Sequence, residues 1–166
     1  IFRYDALDKL PDINAKSVCV FVGSHIQMSK KLQNAISDFC EKYNGIVLCD
    51  HTSNYRGKYR AFCNIVTGQY YWKSKIKNVD LILHIGNISS SDYGINAGEV
   101  WRINPDGEIR DTFRKLYKVF EMDELEFFEA YNKMREYKED DSFLNLYKKE
   151  EGEILEKIPE LPFSNI

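Results

Sequence analysis

The chain has 166 residues, 43% of them hydrophobic and 14% aromatic, which is enough for one folded domain with a core. Its net charge of −3 argues against nucleic-acid binding, which depends on clustered Lys and Arg. No apolar run approaches the roughly 20 residues that span a bilayer, and we expect no membrane association. No signal peptide opens the sequence, and Ile1 in place of Met predicts a piece of a longer protein.

The four cysteines have no CxxC spacing, and Cys19 and Cys49 lie inside apolar runs. Such cysteines are typical of buried thiols in a reducing compartment rather than of disulfides or a metal site. The cysteine pattern therefore predicts a cytoplasmic protein.

Residues 1–16 are mixed in character and are predicted to be a linker from a preceding domain. The run SVCVFV over 17–22 predicts a strand buried on both faces. Helical spacing over 29–43 predicts a helix that begins at Ser29 and ends at Asn44. The remaining predictions, in chain order, are a strand over 46–49, a loop over 51–58, a short helix over 69–77, a strand over 79–85, a loop over 87–91, a helical turn over 92–97, strands over 99–103 and 115–120, helices over 123–134 and 142–158, and a second linker over 159–166.

Short apolar strands that alternate with helical segments indicate βαβ units with right-handed crossovers. The sequence therefore predicts a single α/β domain over 17–158. We expect a doubly wound, mainly parallel, Rossmann-like sheet of five or six strands with helices on both faces.

Ligands of such sheets bind at the carboxyl ends of the strands, near the point where the strand order reverses. Glycine and serine after two buried strands would offer backbone N–H groups and hydroxyls to an anion. No GxGxxG or GxxxxGK[ST] motif accompanies them, so the same residues could instead serve only their own turns. The candidate anion crevice comprises Gly23, Ser24, His25, Arg56, Gly86, Asn87, Ser89, Ser90 and Ser91.

Two loop histidines, His25 and His51, and the strand-end Asp50 are the other candidates for chemistry. The sequence places no Ser or Cys nucleophile beside either histidine, and both can be read as ordinary loop residues. His84 falls inside a strand, where packing is expected. No His, Cys or Asp set has zinc spacing. We therefore assign no catalytic and no metal-binding residue to this chain.

Four segments in order, VFVGS, GIVLCDHTSNYRG, VDLILHIGNISSS and VWRINPDGEIRDTF, resemble the middle domain of the menaquinone-pathway SEPHCHC synthases, the MenD family. The resemblance covers about residues 17–131. Each motif is loose, and the specificity lies in their order and spacing. The positions that match the family pattern are Asp50, Arg56, Asp80, Leu81, Gly86, Asp106, Arg110 and Asp111.

The resemblance implies a DHS-like central domain in a three-domain, thiamine-diphosphate-dependent 2-oxo acid decarboxylase or transferase of menaquinone biosynthesis. In that family the outer domains of the same chain hold thiamine diphosphate and Mg²⁺, and the cofactor carries the chemistry. The parent would form a homodimer or tetramer. This chain would bind no cofactor, and Asp50, Arg56, Asp106, Arg110 and Asp111 would order loops.

One departure from the family pattern concerns the substrate. The family often places a Lys-Arg pair after the Gly86 loop, where this chain has Asp92 and Tyr93. An acid and a phenol cannot hold a dicarboxylate as two cations do, which indicates a relative acting on another oxo acid. Two other functions stay open: a free-standing nucleotide- or small-anion-binding module, and a small enzyme that uses His25, His51 and Asp50.

Overall fold

Over the residues that it describes, a computed structural model shows seven parallel strands and four α-helices. It describes residues 1–25, 27–69, 71, 73–87, 94–137 and 140–159. The strands are β1 (Phe2–Tyr4), β2 (Val18–Val22), β3 (Gly45–Cys49), β4 (Arg60–Ala61), β5 (Asn78–Ile85), β6 (Asn96–Ile103) and β7 (Leu116–Phe120). The helices are α1 (Lys30–Tyr43), α2 (Cys63–Val66), α3 (Glu124–Met134) and α4 (Ser142–Leu155).

The strands lie side by side in the order β1-β7-β6-β5-β2-β3-β4, and every pair is parallel. If the edge strand β1 is set aside and β2 to β7 are renumbered 1 to 6 along the chain, the order across the sheet is 6-5-4-1-2-3. This is the doubly wound arrangement, in which the strand order reverses direction between β2 and β5. The predicted fold class is confirmed. The sheet exceeds the predicted five or six strands because the short β1 and β4 extend its two edges.

The centre of the sheet is apolar because it is covered on both faces. All five residues of β2 are buried, and Val20 lies between Val47 of β3 and Leu83 of β5. Continuous burial of alternating side chains is expected only where helices or loops pack on both sides of a strand. This central position explains why the apolar run of β2 predicted the strand so directly.

The first helix follows from its side-chain pattern and from its two ends. The Ser29 hydroxyl caps α1 by accepting the Leu32 N–H at 3.1 Å, and Asn44 ends it in the left-handed conformation, with φ 52°. Its buried stripe packs against α3, where the rings of Phe39 and Phe128 meet edge to face at 5.3 Å. The helix predicted from spacing and capping is confirmed.

Aromatic contacts identify the two faces of the sheet. Trp101 and Phe120 contact the rings of α3, so α1 and α3 cover the face on which these two residues lie. The opposite face carries His84 and Arg102, which are neighbours in the β5–β6 register. The chain crosses the sheet in one direction from β2 to β4 and returns in the other direction to β5. Since crossovers are right-handed, this return places α2 on the opposite face of the sheet from α1. Helix α4 packs beside α2.

Several segments differ from the sequence predictions. Residues 2–4, expected in a linker, pair with β7 as an edge strand. The helix predicted over 69–77 is, in its described part, only a 3-10 turn at Lys75–Lys77. The strand predicted over 99–103 already begins at Asn96, and the helix predicted over 142–158 ends at Leu155. Two-residue and three-residue strands carry too few side chains to show a periodicity, so β1 and β4 were not visible in the sequence.

Candidate functional site

The reversal of strand order brings the loop after β2 beside the loop after β5. Gly23, Ser24 and His25 follow β2, while Gly86 and Asn87 follow β5. The two loops hydrogen-bond to each other, since the Asn87 N–H donates to the Ser24 carbonyl at 3.0 Å. The predicted crevice residues of these two loops therefore meet at the expected edge of the sheet.

Glycine lets these two loops touch without a gap. A Cβ atom added at Gly23 would lie 1.7 Å from the Asn87 carbonyl oxygen. Gly86 has φ +73°, and a Cβ there would lie 2.3 Å from Cε1 of His25. The glycines thus serve the close approach of loop to loop, and the imidazole of His25 fills the space beside Gly86.

A carboxylate of the chain itself binds to the donors of both loops. Glu124, in the first turn of α3, accepts the Gly86 N–H on Oε1 and contacts Nε2 of His25 through Oε2, each at 2.8 Å. Its side chain is 15% exposed and that of His25 is 11% exposed. These are the donors that a bound anion would need, and Glu124 already uses them.

The hydrogen bonds of His25 determine its charge. Its Nδ1 lies 2.9 Å from the Gly23 carbonyl, an acceptor, and its Nε2 faces the Glu124 carboxylate, also an acceptor. Both ring nitrogens must carry protons to satisfy these two acceptors. Burial favours the neutral ring, but the hydrogen bond and charge of Glu124 outweigh it, so that the pKa of His25 is raised. His25 and Glu124 form a partly buried ion pair.

The other predicted members of the crevice lie elsewhere or outside the description. Ser89, Ser90 and Ser91 are not among the described residues. Arg56 is exposed, and its backbone N–H donates to Oε1 of Gln33 at 3.3 Å. His51 is exposed as well. The structure therefore brings together Gly23, Ser24, His25, Gly86 and Asn87, and it does not bring Arg56 into contact with them.

The loop after β3 is organised by Asp50. Its Oδ1 accepts the backbone N–H of Thr52 at 2.7 Å and the hydroxyl of the same residue at 2.6 Å. The Asp50 carbonyl accepts the Ser53 hydroxyl at 2.9 Å. The Thr52 carbonyl in turn accepts the His25 N–H at 3.2 Å, so this loop also contacts the loop after β2.

Replacement of Asp50 by Ala is expected to lower the free energy of unfolding by about 1 kcal/mol, because the Thr52 N–H loses its side-chain acceptor. Urea denaturation of the two proteins measures this difference. Asp38→Ala, at an exposed site on α1, is the matched control and should change stability by less than about 0.5 kcal/mol. An Asp50→Ala protein as stable as the wild type would show that the carboxylate does not order the loop.

The three predicted loop residues between β6 and β7 bond within their own loop. Asp106 Oδ1 accepts the Glu108 N–H at 2.8 Å, and Arg110 Nε donates to Glu108 Oε2 at 2.7 Å. Asp111 Oδ1 accepts the backbone N–H groups of Lys115 and Leu116 at 2.8 and 2.9 Å. Each carboxylate thus replaces a backbone partner that an irregular segment lacks.

Sequence reasoning missed two features of this region. Glu124 was predicted only as part of a helix, because its partner His25 lies 99 residues away in the chain. Arg102 and His84 lie side by side at the carboxyl ends of β6 and β5 and are both completely buried. A charged residue inside the apolar run VWRI was the one signal in the sequence that could have marked Arg102.

The described residues contain neither a cluster of metal ligands nor a membrane-spanning helix. That part of the chain contains no group of three or more His, Cys, Asp and Glu side chains placed to hold a metal ion. Its longest helices have 14 residues, and none has the length and apolar character to cross a bilayer. Cys19, Cys40 and Cys49 are buried thiols, and burial raises the pKa of Cys49 to about 11.

The fold and the site together define a doubly wound α/β domain whose strand-end crevice is closed by its own carboxylate. No model of a known protein family matches this chain, and no curated protein is significantly similar to it in sequence.

Proposed function

We propose that this chain is the central, non-catalytic domain of a MenD-like, thiamine-diphosphate-dependent 2-oxo acid decarboxylase or transferase. Its own role would be architectural: it would hold the outer domains of the same chain and shape the entrance for the substrate. The parent would act in the cytoplasm as a homodimer or tetramer. The order of the four motifs and the 6-5-4-1-2-3 arrangement of the main strands support this assignment.

The observation that carries the proposal is the ion pair inside the crevice. In doubly wound sheets that bind nucleotides, loop N–H groups at the switch point are directed at a phosphate. Here Glu124 accepts the Gly86 N–H, and it binds His25 as well. In this doubly wound sheet, the groups that could bind an anion already bond to a carboxylate of the same chain. We expect this arrangement in a domain whose role is architectural.

The residues at the switch point do not fit the diphosphate of thiamine diphosphate. A diphosphate needs N–H donors or a bound Mg²⁺ to balance its charge. At the switch point it would meet the carboxylate of Glu124, which lies 2.8 Å from the Gly86 nitrogen that a phosphate would need. We therefore assign no step of the reaction to residues of this chain, and the outer domains would supply both the cofactor site and the catalytic groups.

Calorimetric titration of the chain with thiamine diphosphate and Mg²⁺ is expected to give no binding heat. The chain should also show no 2-oxo acid decarboxylase activity. Micromolar binding of the cofactor would contradict the domain assignment. A rise in melting temperature with NAD, FAD or ADP would instead support the free-standing nucleotide-binding module.

The reading frame on either side of this segment gives an independent test. We expect a preceding domain with an activating Glu and a following domain with a GDG…N motif, as the resemblance implies. A reading frame that encodes neither would contradict the proposal even if the chain binds no cofactor.

A further inference from the structure

Arg102 lies on β6 with no accessible surface, and most of its hydrogen-bonding capacity is unused. Nη1 donates to the His84 carbonyl at a long 3.4 Å, while Nε and Nη2 have no hydrogen-bond partner among the described residues. Arg102 takes part in none of the ion pairs found among the described residues. A completely buried guanidinium is almost always paired, because burial removes the water that solvated its charge.

The two unpaired groups of Arg102 are neighbours on the guanidinium. The N–H of Nε and one N–H of Nη2 point in parallel from the same edge of the planar group. This edge matches the two oxygens of a carboxylate or a phosphate, which it binds with two hydrogen bonds. The free donors thus have the geometry of an oxyanion site rather than being scattered around the side chain.

The surroundings of Arg102 supply further donors and positive charge. Within the part of the chain that the structure describes, both buried ring nitrogens of His84 lack a hydrogen-bond partner. The rings of Phe21 and Phe113 meet the imidazole edge to face. Burial and then the charge of Arg110 lower the pKa of Arg102. The Glu124 carboxylate acts on Arg102 only from a distance, because it bonds to His25 and to the Gly86 N–H.

We propose that Arg102 and His84 form the inner wall of a binding site for a small oxyanion, a carboxylate or a phosphate. The anion would accept Nε–H and Nη2–H of Arg102 and one ring N–H of His84. It would enter beside Arg110, whose side chain is 20% exposed, by displacing the half-buried ring of Phe113. This site lies on the face of the sheet opposite α1 and α3, and it does not depend on the identity of the parent enzyme.

Thermal unfolding of the intact chain with added anions tests the site. Inorganic phosphate, acetate and succinate are compared with chloride at equal ionic strength. An anion at ten times its dissociation constant should raise the melting temperature by about 4 °C. A rise with phosphate alone identifies a phosphoryl ligand, and a rise with acetate or succinate alone identifies a carboxylate.

Arg102→Met separates binding from general salt effects. Without anion, this variant should melt no lower than the wild type, because an apolar side chain of similar length replaces an unpaired charge. Its melting temperature should not respond to phosphate or carboxylates. Arg3→Met, which removes an exposed cation, should keep the full response.

Two outcomes would overturn the site: no anion raises the melting temperature of the wild type, or Arg102→Met responds as strongly as the wild type does. If Arg102→Met does not fold, the Nε–H resonance of Arg102 in the unmodified protein decides the question. A shift of this resonance during titration with phosphate or a carboxylate supports the site, and an unchanged resonance overturns it.

Discussion

Replacement of Glu124 by Ala is expected to lower the free energy of unfolding by about 3 kcal/mol, the cost typical of removing one member of a buried ion pair. The change leaves the Gly86 N–H without an acceptor and removes the anionic partner of His25, whose side chain is 11% exposed. It also removes a negative charge from the first turn of α3, where the helix dipole favours one. Urea denaturation at about pH 6 measures the effect.

Two further variants isolate the role of this carboxylate. Glu126→Ala removes an exposed carboxylate from the same turn of α3 and should change stability by less than about 0.5 kcal/mol. Glu124→Gln keeps an oxygen for the Gly86 N–H but loses the charge that raises the pKa of His25. If Glu124→Ala and Glu126→Ala cost the same, the ion pair does not hold the two loops together.

The cost of Glu124→Gln should depend on pH. Because the pKa of His25 is raised, its contribution to stability is complete below its unfolded value of 6.5 and is lost as the pH rises through the folded value. The variant should therefore lose more stability at about pH 5.5 than at about pH 9. NMR titration of His25 should give a lower pKa in Glu124→Gln than in the wild type.

Acidification from about pH 7 to about pH 4 is expected to remove about 3 kcal/mol of stability through His84 alone. Burial, followed by the charges of Arg102 and Arg110, lowers the pKa of His84 from 6.5 to about 3. The unfolded chain therefore binds a proton near pH 6.5 that the folded chain does not. The stability present above pH 6.5 is lost as the pH falls towards the folded value.

His84→Phe tests this prediction because Phe keeps a ring against Phe21 and Phe113 but cannot bind a proton. Unfolding free energies of both proteins are measured by urea denaturation across the same pH range. The two proteins differ in no other ionisable group, so the variant should lose about 3 kcal/mol less on acidification. His51→Ala, at an exposed site, should follow the wild type. If the unfolding free energies of the wild type and His84→Phe change in parallel with pH, the pKa of His84 is not lowered in the folded protein, and the prediction is wrong.

Most of the fold could be predicted from local sequence patterns. The buried strands are short apolar runs that need no partner to be recognised, as in VCVFV of β2, since both faces of a central parallel strand are covered. The first helix was visible from its apolar stripe and from the cap at Ser29. The edge strands β1 and β4 were not visible, because three and two residues become strands only through the neighbour that pairs with them.

The candidate site was likewise predicted in part from the sequence and decided in part by the tertiary structure. The sequence by itself determined that glycine and polar residues follow β2 and β5, and the reversal rule of parallel sheets then predicted that their loops meet. Only the tertiary structure decided what fills the meeting point, since Glu124 reaches it from a helix 99 residues after His25. Likewise, only the register of β5 with β6 placed His84 beside Arg102. Charge and hydrogen bonding act between atoms close in space, so contacts distant in sequence cannot be read from the order of residues alone.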